Sequence, residues 1–453
     1  MSYEINISDI KRAYFVGIGG IGMSALARFF KARGVEVSGY DKTSTALTDT
    51  LVSEGIDVHF TDEPSLIPAD ADVFIFTPAI PADNKIIQAC RQSAKPLLKR
   101  SDLLQIVSKG TYNICIAGTH GKTTISTMVA HVLRDSGFGC NAFLGGIASN
   151  YGTNFWSSSN QVCVIEADEY DRSFLKLFPN VICITAMDPD HLDIYGTAEE
   201  MEKSFILFTQ NLKENGLLIS RKGLTREKDL HGDVHLTYQL QNENADVHTL
   251  GLRVEQGSYK FDVQGAGWFI GDMTLNMGGL HNVENSLVAI SIAKHLGIAD
   301  DKIRAAVASF KGVKRRFEYI LRTEDHVYID DYAHHPEELK ALISGVRSLY
   351  PEQKITILFQ PHLYTRTRDL AEGFAESLDM ADEVYLLPIY PARELPIEGV
   401  SSEMIVSRMK RKATLISKEE MVKLIGENKP SLFVTAGAGD VDKMIPDIKA
   451  LLS

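Results

Sequence analysis

An α/β chain of three domains, built mainly on parallel sheets wound with helices, is predicted by three observations. These are a length of 453 residues, short apolar runs that alternate with helix-period segments, and glycine-rich turns set between the two. One hydrophobic core stops growing at about 250–300 residues, and at roughly 150 residues per domain the chain divides into about three. Apolar residues make up 44% and charged residues 23% of the chain, which is ordinary globular usage, so the whole length is expected to fold. The first segment has apolar runs at 13–16, 35–39 and 73–76 and a helical pattern at 23–33, the rhythm of parallel strands joined by helices. The second opens with the run 112–117 and continues through 161–165 and 181–186; from about 216 to 271 it breaks into shorter strands and turns, so a mixed sheet is expected there. A third series starts near 311, with runs at 327–329, 355–359, 384–387 and 432–435. The boundaries therefore fall near 108 and 311, giving domains 1–108, 109–310 and 311–453.

Charge and cysteine usage exclude several classes. The 47 Lys and Arg against 59 Asp and Glu leave −12, spread without long runs, a field that disfavours nucleic-acid backbones and anionic membrane surfaces. The N-terminal MSYEINISDIKR has no apolar stretch behind its charges, and no segment approaches 18 uncharged apolar residues. Neither a secretion signal nor membrane insertion is expected, and the chain reads as cytoplasmic. Cys90, Cys115, Cys140, Cys163 and Cys183 are scattered and odd in number; they read as small buried hydrophobes in a reducing compartment, not as a disulfide framework.

Gly17, Gly19 and Gly22 form GxGxxG directly after a strand run, and Asp41 ends the next run. Glycines there permit a tight turn and let backbone N–H groups approach a pyrophosphate at a helix N-terminus, while the acid reaches a ribose hydroxyl. The pattern also suits a turn that needs glycine only for packing, and it does not separate a dinucleotide from a UDP-sugar. The run Gly118, Thr119, His120, Gly121, Lys122, Thr123, Thr124 is sharper, because it follows an apolar strand and precedes a helical pattern. Its N–H groups can wrap phosphate oxygens, Lys122 can neutralise the outer phosphates and the Thr123 hydroxyl can ligate Mg²⁺. The first glycine of the full phosphate-loop pattern is missing; Ile116 stands there.

Glu166 ends the run VCVIE and opens an acidic stretch through Asp168, Glu169 and Asp171, and the next run ends in Asp188, Pro189, Asp190, His191, Leu192, Asp193. Two acidic clusters after consecutive strands beside a phosphate loop point to a divalent-metal site. The third segment supplies Asp330, Asp331, Tyr332, Ala333, His334 and His335 after one run, and Gln360 through Asp369, with Arg366 and Arg368, after another. The guanidinium fork of an arginine suits carboxylate or phosphate; these two could instead pair with Asp369.

Taken in order, GIGGIGMS from Gly17, SGYD ending at Asp41, GTHGKTT from Gly118, EADEYDRSF from Glu166, DPDHLDIYG from Asp188, LHNVENSLVA from Leu280, GVKRRFE from Gly312, DDYAHHPEE from Asp330 and QPHLYTRTRD from Gln360 resemble the Mur ligase family over nearly the whole chain. The resemblance implies an N-terminal Rossmann-like UDP-binding domain, a central P-loop ATPase with a mixed sheet and a C-terminal Rossmann-like domain at the amino-acid site. It further implies that Lys122 serves the phosphates, that Thr123 and Glu166 ligate one Mg²⁺ and that His191 ligates a second. His281, Asn282 and Asn285 match the adenine side, and Arg316 and Asp331 fall where the family contacts ATP from the third domain. Tyr332, His334, Arg366 and Arg368 fall near the amino acid, while Gly19, Gly20, Asp41, Thr77, Pro78, Ala79 and Ile80 match the uridine-nucleotide end. Three departures stand out: Leu363 in place of an arginine, Ala333 in place of a glycine, and Phe205 where other members carry a carbamylated lysine.

The activity so implied is ATP-dependent ligation of L-alanine to the lactyl carboxylate of UDP-N-acetylmuramate. A carboxylate and an ammonium do not condense unaided, because oxide is a poor leaving group, so an acyl phosphate formed from ATP is required. The wealth of phosphate and metal ligands, with no evident Ser or Cys nucleophile motif, suits that chemistry. A member that adds a tripeptide to the same sugar nucleotide is the nearest alternative. A nicotinamide-dependent oxidoreductase leaves GTHGKTT unexplained, and a non-catalytic UDP-sugar sensor leaves the metal clusters unexplained.

Overall fold

The computed structural model describes residues 7–170, 172–189, 192–392 and 394–453. The first sheet is wholly parallel, in spatial order Asp57–His59, Glu36–Tyr40, Arg12–Val16, Val73–Phe76, Leu97–Lys99. Its central strand is buried on both faces, from Ala13 to Val16, which is why it reads as a continuous apolar run. The two edge strands have three residues each, too short to leave such a run, and the sequence reading passes over them. Chain order reverses between Arg12–Val16 and Val73–Phe76, so the loops after these strands flank a crevice of the kind that binds ligands in open α/β sheets.

The central sheet runs Val234–Tyr238, Leu217–Arg221, Val181–Ile184, Tyr112–Ala117, Val162–Glu166, Asn141–Ala148, Thr153–Trp156, parallel except for its last pair. The expected strand 181–186 stops at Ile184, because Thr185 and Ala186 turn their polar groups to the loop that starts at Gly118. The 216–271 region divides in two. Its first two strands extend the central parallel sheet, whereas His248–Glu255, Ser258–Gly265 and Trp268–Leu275 form a separate antiparallel sheet. These three strands have eight residues each, longer than the sequence reading expects. The last sheet runs Glu318–Arg322, Val327–Asp331, Leu432–Ala436, Thr356–Phe359, Glu383–Leu386, Ala413–Leu415, with only its first pair antiparallel.

Specific contacts fasten the three parts. Helix Ile21–Lys31 sets Phe29 against Phe143, with ring centroids 5.2 Å apart, and Arg28 reaches Glu54 of its own domain and Asn154 of the central one, at 2.6 Å each. On the other side, a Cβ on Gly278 would lie 2.0 Å from the Phe317 ring; the absent side chain lets the C-terminal domain seat on the central one. All five cysteines are free and buried, and burial pushes the Cys90 and Cys140 thiols up to about 12, so they pack as apolar groups.

Asp330 lies wholly inside the C-terminal domain, accepting from the Thr435 hydroxyl at 2.6 Å with Arg315 Nε 3.4 Å away. Burial pushes its carboxyl up to about 7, against the pull of Thr435 and Arg315. A carboxyl whose folded value exceeds its unfolded one favours folding below the unfolded value, about 3.9, and that contribution is lost as pH rises through about 7. Asp330→Asn is therefore expected to gain thermal stability relative to the parent as pH climbs from 5 to 8. Parallel melting curves for the two proteins across that range would refute the assignment.

Candidate active site

The glycine loop expected to hold phosphate is built where strand Tyr112–Ala117 gives way to helix Lys122–Asp135. Gly118 (φ +124°) and Gly121 (φ +81°) occupy backbone space that a side chain rarely adopts, and a Cβ on Gly118 would lie 2.2 Å from Thr185 Oγ1. The loop is braced from the neighbouring strand: Thr119 N–H donates to Ala186 O at 3.1 Å, and the Thr185 hydroxyl donates to His120 O at 2.5 Å. His120 itself is largely exposed, 3.8 Å from Asp188, while Thr123 and Thr124 are buried at the start of the helix. Lys122 Nζ folds back over the loop and donates to Gly118 O and to Glu169 Oε1, both at 2.8 Å.

Glu169 is fully buried, its backbone carbonyl accepts from the Tyr195 hydroxyl at 2.7 Å, and among the described residues its Oε2 has no hydrogen-bond partner. Burial raises its carboxyl and Lys122 opposes the shift, so the ion pair with Lys122 keeps an otherwise costly charge in place. Beside it, Thr123 Oγ1 donates to Glu166 Oε1 at 2.8 Å, and Gly145 N–H and the Ser126 hydroxyl donate to Oε2 at 2.9 and 3.4 Å. A Cβ on Gly145 would lie 2.4 Å from that carboxylate, so glycine is what makes room for it. One carboxylate oxygen held by two donors and the other facing a hydroxyl is a hard-oxygen set of the sort Mg²⁺ takes together with water and phosphate. Asp171, Asp190 and His191 lie outside the described residues, and among those described no group of three or more His, Cys, Asp or Glu side chains converges on one point.

In the first domain, Gly17 (φ +87°) turns the chain beneath the loop Thr77–Ile80; a Cβ there would lie 2.6 Å from Thr77 Cγ2. Asp41 Oδ2 accepts the Gly19 N–H at 2.7 Å, and Gly20 N–H goes to Gly17 O at 3.3 Å. With these two occupied, the outward donors of the turn are the N–H groups of the first helical turn, Ile21 to Met23. Pro78 and Ala79 are exposed. A cavity of about 280 Å³ joins the two domains: Gly20, Gly22 and Arg100 line one side, and Gly145, Glu166 and Asp168 the other. The glycine turn and Glu166 thus open on one space.

Family models match the chain in three consecutive blocks: the Mur ligase family catalytic domain over 12–112, the Mur ligase middle domain over 116–293 and the Mur ligase glutamate ligase domain over 315–439. The chain belongs to the Mur ligase family. It is 45% identical over 99% of both chains to the UDP-N-acetylmuramate–L-alanine ligase of Flavobacterium johnsoniae, and 43% identical, over 99% of this chain and 100% of the other, to that of Phocaeicola vulgatus. The crystal structure of the UDP-N-acetylmuramate-alanine ligase MurC from Thermotoga maritima superposes with a TM-score of 0.82 at 28% identity, covering 96% of this chain and 98% of that one. A murein peptide ligase from Psychrobacter arcticus shares the fold, with a TM-score of 0.63 at 21% identity over 98% of each chain.

In this Mur ligase, helix Leu280–His295 starts at Gly279 (φ +89°) with His281 exposed, and Asn282 is buried on Gly278 O at 2.6 Å. Asn285 donates to Asn282 Oδ1 at 3.1 Å and stands 3.3 Å from where a Cβ of Gly121 would be, so Asn285 meets the loop that starts at Gly118. From the C-terminal domain, Asp331 accepts the N–H groups of Phe317 and Ala333 at 2.6 and 2.7 Å, and burial pushes its carboxyl up to about 6. Arg316 is exposed, whereas its neighbour Arg315 is spent on Asp330, Asp442 and two glycine carbonyls.

Tyr332, His334 and His362 of this Mur ligase form a chain of rings, with centroids 5.2 and 6.2 Å apart, and His362 stacks on Tyr390 at 5.9 Å. Arg366 NH1 lies 3.4 Å from His362 Nδ1. Arg368 turns aside to a bidentate pair with Asp369 at 2.7 and 3.2 Å, the alternative the sequence leaves open. Leu363 is partly buried and caps helix Tyr364–Leu378 at φ +71°, and Phe205 is fully buried against Phe174. Sequence reasoning names Glu169 only as one acid in a stretch, and it misses Gly145 and Arg100 altogether. The signal for Gly145 is the glycine pair 145–146, which faces Glu166 only once the strands are assembled.

Proposed function

We propose that this Mur ligase joins L-alanine to the lactyl carboxylate of UDP-N-acetylmuramate at the expense of ATP, releasing ADP and phosphate, in peptidoglycan precursor synthesis. The observation that carries the reading is the cavity that spans from the glycine turn of the first domain to Glu166 of the second, which lets a sugar nucleotide held by one domain present its carboxylate to a nucleotide held by the other. The full-length likeness to UDP-N-acetylmuramate–L-alanine ligases supports the same substrates.

A lactyl carboxylate oxygen attacks the γ-phosphorus, the bond to the bridging oxygen breaks, and ADP leaves with that electron pair. The alanine nitrogen then attacks the acyl carbon and phosphate departs. Lys122, hydrogen-bonded to the loop backbone it folds over, places its charge where the phosphate oxygens gather charge. Thr123 and Glu166 would hold Mg²⁺, with His191 as the expected ligand of a second ion; the metal, when bound, neutralises phosphate charge. Alanine must arrive as the free amine. His334 is suited to take the proton from its ammonium form, because Nδ1 faces the Tyr332 carbonyl at 2.9 Å. Nδ1 therefore carries the hydrogen and Nε2 is left as the proton acceptor. Arg366 receives the alanine carboxylate, Asp331 and Arg316 approach ATP from the C-terminal domain, and Asp41 with the Thr77–Ile80 loop serves the uridine end. The domain limits that go with these roles are 1–108, 109–310 and 311–453. Among the described residues no helix is long and apolar enough to cross a membrane, and the buried free thiols fit a cytoplasmic site.

The test is ADP release with UDP-N-acetylmuramate and, in turn, alanine, glycine, serine or the cell-wall tripeptide, with calorimetric titration of NAD alongside. Release that requires both the sugar nucleotide and alanine is expected. Release with tripeptide but not alanine would make this a recycling ligase, and tight NAD binding without a response to UDP-N-acetylmuramate would overturn the reading.

A further inference from the structure

Arg100 opens helix Arg100–Lys109 directly after the edge strand Leu97–Lys99. Its side chain is only partly exposed, yet among the described residues its guanidinium has neither a hydrogen bond nor an ion pair. Arg28 at the same seam differs: it bridges Glu54 and Asn154. A guanidinium with five donors, none of them taken by a described protein group, is free to receive the oxygens of a ligand.

Its position names the ligand's chemistry. Arg100 Cδ and NH1 lie 3.1 Å from where a Cβ on Gly22 would be. The third glycine of GxGxxG is expected to serve helix-on-strand packing; here its bare Cα also lets the guanidinium lie against the helix start. The N–H groups left free by Asp41 and Gly17 are those of that same helical turn. Arg100 also lines both the domain-joining cavity and a smaller one beside it that reaches Glu166 and Asp168. Backbone donors and a forked cation therefore face one space that runs toward the metal-type carboxylate.

We propose that Arg100 binds an oxyanion of the sugar nucleotide, either its diphosphate or its lactyl carboxylate, and is a substrate-positioning residue of the seam between the first two domains. This rests on the reading of the cavity as the sugar-nucleotide site. The experiment is calorimetric titration of the full-length parent, Arg100→Gln, Arg100→Lys and Gly22→Ala with UDP, UDP-N-acetylglucosamine and UDP-N-acetylmuramate, with ADP as the control ligand. Arg100→Gln is expected to weaken sugar-nucleotide binding tenfold or more with ADP affinity unchanged. Arg100→Lys should fall between, since it keeps the charge and loses the fork, and Gly22→Ala should weaken binding by displacing the guanidinium. Equal losses for all three ligands assign Arg100 to the diphosphate, and a loss confined to UDP-N-acetylmuramate assigns it to the carboxylate. Unchanged affinities in Arg100→Gln, or in Arg100→Lys and Gly22→Ala together should the first not fold, overturn the proposal. A parent protein that binds ADP but no sugar nucleotide instead overturns the reading of the cavity.

Discussion

Lys122→Ala is expected to lower alanine-dependent ADP release by roughly 10²–10³, the usual cost of removing one preorganised contact to a developing charge. Two effects of the substitution must be separated. Lys122 is also the partner of Glu169, whose carboxylate is fully buried with one oxygen unpaired among the described residues, and breaking a buried pair from one side costs about 3–5 kcal/mol of stability. The single variant should therefore melt lower as well as turn over slowly. Lys122→Met combined with Glu169→Gln removes the stranded charge, so melting temperature should recover while ADP release stays depressed. A folded Lys122→Ala enzyme with near-normal rates would mean that the phosphate loop is wrongly assigned.

Arg366→Ala is expected to raise the alanine KM by tenfold or more and to leave the ATP KM nearly unchanged. A charge-assisted hydrogen bond contributes about 1.5–3 kcal/mol, and about 1.4 kcal/mol is a factor of ten. Arg366 is the stronger candidate of the two arginines in the first turns of helix Tyr364–Leu378, because Arg368 is already spent on Asp369, whereas the group beside Arg366 is His362, whose protonation is disfavoured by burial and by Arg366 itself. Arg368→Ala should accordingly shift the alanine KM by less than about twofold, a change under about 0.4 kcal/mol. Leu363→Arg is the complementary change. Leu363 already sits at φ +71°, so arginine there adds no new backbone strain. If a second fork limits affinity, the variant lowers the alanine KM; if the partly buried leucine is needed for packing, melting temperature drops instead. An unchanged alanine KM in Arg366→Ala would remove this helix start from the amino-acid site.

The α/β class, the three-part division and the glycine loop between strand and helix were legible because each rests on short-range patterns. A strand buried on both faces, such as Arg12–Val16, must be continuously apolar, and a loop at Gly118 and Gly121 must be free of Cβ atoms whatever surrounds it. The family resemblance rests on nine such local runs in order. Pairings between distant residues left no such pattern. Lys122 and Glu169 are 47 positions apart in an acidic stretch whose members look alike until burial singles one out. Arg366 and Arg368 are two arginines of one short run, and only the first turn of the helix that begins at Tyr364 sets one beside His362 and the other on Asp369. Gly22 and Arg100 come together only when the first sheet is assembled, because their contact depends on strand order and on how two helix starts converge. Composition and period specify which residues are buried and which turns are tight; what faces what across a cavity is decided by the packing of sheets, which no stretch of chain contains by itself.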